Sequence, residues 1–139
     1  MRKPLTATAV AVMAAIGLAA PAQATVNSVD RPFSMAYGNS TTSGTIHFTD
    51  GYSASLSGAV HAASGSRMVC AWGENGTVTT GNTICSPWAN AGGPDRSFSG
   101  SLQIELPGGV QRVYIAMYDE NGTPRAEQVC SRTSCTRLY

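Results

Sequence analysis

Apolar and polar side chains alternate with a period of two along most of the chain beyond its first two dozen residues. Phe33, Met35 and Tyr37 alternate, as do Ile46 and Phe48, then Tyr52, Ala54 and Leu56, then Met68, Cys70 and Trp72. Further on come Phe98, Leu102, Ile104 and Leu106, then Val113, Ile115 and Met117. Such alternation marks half-buried strands. Turn signals separate the runs: Asp50-Gly51, Glu74-Asn75-Gly76, Pro107-Gly108-Gly109 and Glu120-Asn121-Gly122. No stretch in this part keeps helical spacing. The pattern predicts an all-β, antiparallel β-sandwich of seven to nine strands, immunoglobulin-like or related.

Two hairpins follow from the pattern. A three-residue loop from Thr49 to Gly51 pairs Phe48 with Tyr52 and Ile46 with Ala54, keeping one apolar face. A four-residue loop from Pro107 to Val110 pairs Ile104 with Val113 and Leu102 with Ile115.

Short strings recur in order. Tyr52-Ser-Ala-Ser-Leu56 returns as Phe98-Ser-Gly-Ser-Leu102, and Arg67-Met-Val-Cys-Ala-Trp72 is echoed by Arg112-Val-Tyr-Ile-Ala-Met117. Glu74-Asn-Gly-Thr77 returns identically as Glu120-Asn-Gly-Thr123, and Ile84-Cys-Ser86 as Val129-Cys-Ser131. These matches predict two units, about 52–86 and 98–131, each a three-stranded meander forming its own sheet. The two sheets would pack face to face, with one or two further strands from Asp30 to Thr49.

The first residues read differently. Met1-Arg2-Lys3 is basic, Leu5–Ala20 is apolar, and Pro21-Ala22-Gln23-Ala24 suits a cut after Ala24. Residues 1–24 are therefore predicted to be a secretory signal peptide, leaving 25–139 as one domain, secreted or associated with the cell wall. The apolar run is short for a membrane span, which needs ~20 residues. Its removal leaves seven Arg, no Lys and eight carboxylates, a net charge of −1. That balance argues against a nucleic-acid partner, which would meet a basic stripe. No membrane partner is expected, and the domain is expected as a monomer or weak homodimer.

Export puts the four cysteines in an oxidising compartment. Cys70 and Cys85 flank the Asn75-Gly76 turn, and Cys130 and Cys135 are four residues apart. The expected pairs are Cys70–Cys85 and Cys130–Cys135; the rival joins Cys85 to Cys130 and Cys70 to Cys135. In the repeat, Cys85 matches Cys130 and Cys70 matches Ile115. The cysteine spacing is not that of a zinc knuckle.

Chemistry is thin. The two histidines, His47 and His61, fall on the polar face of one hairpin, His47 opposite Ser53 and His61 about 26 Å further along. They read as solvated strand residues that cannot share a metal. Gly-x-Ser-x-Gly, phosphate-loop and calcium-loop motifs are absent from the sequence. No catalytic residue, metal or cofactor is therefore assigned.

Two features suggest binding. Tyr114 and Tyr118 point away from the face of Val113, Ile115 and Met117, and Trp88 lies in a loop rich in Pro, Gly and Asn. Exposed aromatic rings stack on sugars or anchor protein partners. Trp72, alternating with Cys70 and Met68, reads as core. The second feature is Arg132, which a Cys130–Cys135 loop could present to a trypsin-like protease. The Cys70–Cys85 spacing is similar to a pair in the subtilisin-inhibitor family. That likeness covers only these two cysteines, and the C-terminal pair departs from it. In overall style, with an Ala-rich leader, a Ser/Thr/Gly body and few cysteines, the chain resembles small secreted β-rich proteins of Streptomyces-type bacteria. This resemblance transfers no functional residue. The expectation is a non-enzymatic secreted module for an extracellular glycan or protein. The alternatives are a serine-protease inhibitor using Arg132 and a small hydrolase with an unrecognised site.

Overall fold

A computed structural model describes residues 27–49 and 51–139. The expected signal peptide and Asp50 lie outside the described residues. Eleven strands follow in order: β1 (Val29–Tyr37), β2 (Ser40–Phe48), β3 (Ser53–His61), β4 (Ser66–Asn75), β5 (Val78–Thr79), β6 (Ile84–Cys85), β7 (Ala89–Asn90), β8 (Arg96–Gln103), β9 (Arg112–Asp119), β10 (Pro124–Ser131) and β11 (Cys135–Arg137). Seven are long, and β5, β6, β7 and β11 are two or three residues each. They form two antiparallel sheets of a sandwich, one ordered β1-β2-β3-β8, the other β11-β10-β9-β4 with β5, β6 and β7 in turn along the far edge of β4.

Both disulfides are the expected ones, Cys70–Cys85 and Cys130–Cys135, each joining directly opposed residues of paired strands. The core lies between the sheets. From the four-stranded sheet come Phe33, Met35, Ile46, Phe48, Ala54, Leu56, Val60, Phe98 and Leu102, and from the other Val69, Ala71, Val113, Ile115, Met117 and Ala126.

The predicted registers need correcting. Phe48 pairs with Ala54 and Ile46 with Leu56, two residues beyond the expected partners. An even shift keeps every side chain on its predicted face, so the alternation could not detect it. It leaves Tyr52 outside the ladder and 53% exposed. Tyr37 is also largely exposed, at the end of β1, where the guanidinium groups of Arg67 and Arg125 lie over its ring. The predicted hairpin of Ile104 with Val113 does not form, because β8 and β9 belong to different sheets. The chain crosses between them at Pro107–Gly109. There Gly109 has φ of 54°, and a Cβ on it would lie 2.4 Å from the Gly51 carbonyl oxygen.

The matched segments do not build one sheet each. Instead β3 pairs with β8 and β4 with β9, so corresponding strands lie side by side and each unit crosses from one sheet to the other. Ser55 faces Ser101, its counterpart in the matched strings. The identical Glu-Asn-Gly-Thr strings take two different loops. In the first, Glu74 and Asn75 remain in β4 and only Gly76 and Thr77 turn. In the second, the loop closes from Asp119 to Thr123, whose carbonyl accepts the Asp119 amide. The Asp119 carboxylate accepts the amides of Asn121 and Thr123 and pairs with Arg125 at 2.7 Å. Gly73, at the corresponding place in the first unit, has no side chain to do this.

These contacts, the Thr123 amide first, hold the Asp119 carboxyl below its ordinary value against the opposing effect of burial. A lowered native pKa contributes stability above the unfolded value, and that contribution is lost as pH falls through the native one. Asp119→Asn should therefore give a shallower fall in unfolding midpoint with acid than the wild type. An unchanged acid limb in denaturant titrations would contradict the assignment.

Candidate binding face

The outer face of the seven-stranded sheet is built from residues that alternate with the core. On β9, Val113, Ile115 and Met117 point inward and are fully buried, so Tyr114, Ala116 and Tyr118 point outward. On β4 the inward set is Arg67, Val69, Ala71 and Gly73, and the outward set is Met68, Cys70 and Trp72. Trp72 is thus not core. It pairs with Tyr114, and the two rings stack nearly parallel, 8° apart in plane with centroids at 5.6 Å. The next row outward pairs Glu74 with Arg112, joined at 3.3 Å, and the Arg112 guanidinium lies over the Tyr114 ring.

On the other side, Met68 faces Tyr118. Between the two aromatic rows lie Cys70 and Ala116, both buried, with Cys85 exposed at the edge of the row. Tyr114 and Tyr118 are four residues apart, roughly 13 Å along the strand. Trp88 joins this face from the edge. Ser86 and Ala89 point inward, Ser86 exchanging hydrogen bonds with the Val69 backbone. Pro87 and Trp88 between them are exposed beside Met68, Trp88 at 39%.

Glu127 of β10 completes the row of Cys70 and Ala116 by facing Ala116. It is half-buried, and its Oε2 accepts the Tyr139 hydroxyl at 2.8 Å. That bond, with burial and the negative charge of Glu127, pushes the Tyr139 phenol up to about 12. Burial, then Glu127, also raises the Tyr118 phenol.

The remaining predicted residues lie elsewhere. Arg132 turns into the fold. Its guanidinium donates to the carbonyls of Thr49 and Asn27 and lies 5.5 Å from the centre of the Phe48 ring, while its own carbonyl accepts from Arg31. His47 faces Ser55, not Ser53, and His61 faces Thr41, at opposite ends of the outer face of the four-stranded sheet. Each meets a carboxylate that sequence reading did not pair with it, His47 with Asp30 at 2.5 Å and His61 with Asp95 at 2.8 Å. Both pairs are about half-exposed. No group of three or more His, Cys, Asp or Glu among the described residues could hold a metal.

Of the residues that the sequence singles out for binding, Tyr114, Tyr118 and Trp88 lie on this face; Trp72 and Glu127 share it and are not singled out for binding by the sequence pattern. No family model matches the chain, and no curated protein or solved structure matches it.

Proposed function

We propose that the protein is an exported, non-enzymatic module that holds an extracellular glycan on the outer face of its seven-stranded sheet. The observation that carries this reading is the gathering of Trp72, Tyr114, Tyr118 and Trp88 on one open face. Large aromatic side chains normally serve the core, and an open row of them offers flat apolar surfaces for sugar rings with phenol and indole groups for the hydroxyls. The predicted leader supports export to an oxidising space, as do two disulfides and the lack of a membrane-crossing helix among the described residues. Arg132 is drawn into the fold, which speaks against its use as protease bait.

The test is retention of the purified domain on insoluble cell wall, chitin and cellulose. Tyr114→Ala removes one ring of the stacked pair and is expected to weaken retention about tenfold or more, as central aromatic anchors do. Trp88→Ala, at the edge, should weaken it less. Unchanged retention in Tyr114→Ala would remove the aromatic face from the reading. Absence of retention on every matrix would leave a protein as the partner.

A further inference from the structure

Glu127 has a property that the aromatic rows do not explain. Among the described residues, Glu74, Asp119 and Glu120 each pair with an arginine and Asp30 and Asp95 each contact a histidine ring, while Glu127 and the exposed Glu105 have neither partner. Glu127 is half-buried, and a carboxylate partly withdrawn from water without a counter-charge is costly. The arginines of its own strand and the next are engaged elsewhere. Arg112 pairs with Glu74 and covers Tyr114, and Arg125 pairs with Asp119 and covers Tyr37. What surrounds Glu127 is aromatic and small: Tyr139 bonded to Oε2, Ala116 opposite and buried, and Tyr118, the next residue along the same face of β9 and close enough to feel its charge. Carboxylate oxygen and phenol faces are the groups that receive an organic ammonium, by charge and by cation–π attraction.

We infer that Glu127, Tyr118 and Tyr139 are the cation-binding element of this face, and that its glycan carries free amino groups, as a partly deacetylated aminosugar polymer does. This rests on the glycan reading above and narrows it. Charge complementarity points the same way. Glu127 lies on β10, between the two aromatic rows and toward the β11 edge, Arg112 is neutralised by Glu74, and the chain after the predicted leader carries a net charge of −1. A uronate or phosphate polymer would meet repulsion at this carboxylate. An amine meets attraction there while its sugar rings stack on the neighbouring rows.

The experiment compares retention on chitin, on the same polymer deacetylated, and on cellulose, in about 0.15 M salt so that diffuse charge attraction is screened. The wild type should bind the deacetylated polymer about tenfold more tightly than chitin. Glu127→Gln keeps an acceptor for the Tyr139 hydroxyl but removes the charge, and should bring the two matrices level. Glu105→Gln removes an exposed carboxylate and should leave the preference intact. Tyr114→Ala should weaken retention on both matrices.

A wild type without preference, or a Glu127→Gln variant that keeps it, overturns the inference. In either case continued sensitivity to Tyr114→Ala leaves the glycan reading standing. Retention on polylysine-coated beads but not on the deacetylated polymer overturns the aminosugar in favour of a basic protein. No retention on any surface overturns both readings.

Discussion

A Gly44→Ala variant is expected to lose about 3 kcal/mol of stability or more, measured as a fall in denaturant midpoint at unchanged slope. Gly44 stands in a row across the four-stranded sheet, Phe33–Gly44–Gly58–Phe98. The two glycines let the flanking phenyl rings approach over the sheet floor, their centroids 6.3 Å apart. A Cβ on Gly44 would stand 2.1 Å from the Ser57 carbonyl oxygen, 2.7 Å from the Gly58 Cα and 2.7 Å from the Phe33 ring. The ring can turn aside, but the two backbone atoms belong to the neighbouring strand and cannot yield without breaking the ladder. Overpacking that side chains absorb costs about 1–3 kcal/mol, and a backbone clash belongs at or beyond the upper end. Phe98→Ala tests the same row from the opposite direction, by opening a cavity at about 3–5 kcal/mol. A Gly44→Ala loss below about 1 kcal/mol would show that β2 and β3 separate more easily than this packing implies.

The same glycine row shows what the sequence could and could not convey. Period-two alternation assigns a face whenever one phase is apolar and the other polar. It therefore read Phe33 and Met35, Ile46 and Phe48, Ala54 and Leu56, and Val113, Ile115 and Met117 correctly as core. On β4 both phases are largely apolar, and the outward Met68, Cys70 and Trp72 are bulkier than the inward Val69, Ala71 and Gly73. Tertiary space settles the phase. Gly73 lies against Thr80 and Val110 with no room for a Cβ, and Arg67 at 6% exposure reaches Glu120. Aligning the two units one residue differently would have exposed the error. With a shift of 46, inward Val69 matches inward Ile115, whereas matching Cys70 to Ile115 equates opposite faces. The same slip made Cys85 equivalent to Cys130, although Cys85 is exposed and Cys130 fully buried.

In the candidate site, Tyr114 and Tyr118 were legible because their strand neighbours so plainly belong inside. Glu127 was not, since an acidic residue in a strand is ordinary until the strand opposite it is known. Its partner Tyr139 is brought alongside only by the pairing of β10 with β11.

Replacing Cys70 and Cys85 together by serine is expected to cost about 3 kcal/mol, from loop-closure entropy over a separation of 15 residues. The corresponding change at Cys130 and Cys135, separated by five, should cost about 2 kcal/mol if alanine is used at the buried Cys130. The functional consequences should differ more than the stabilities. The segment holding Trp88 touches β4 through three pieces of two residues each, and the Cys70–Cys85 bond is its one covalent tie there. Loosening it frees the Trp88 edge while leaving Glu127 and Tyr139 in place. The second disulfide secures β11, which leads into Tyr139 at the opposite edge. Measured well below both unfolding midpoints, the first variant should bind every glycan matrix more weakly and keep its preference for amines. The second should bind chitin as the wild type does and lose that preference. Identical retention profiles for the two variants would mean that the disulfides serve stability alone and that neither edge contributes to recognition.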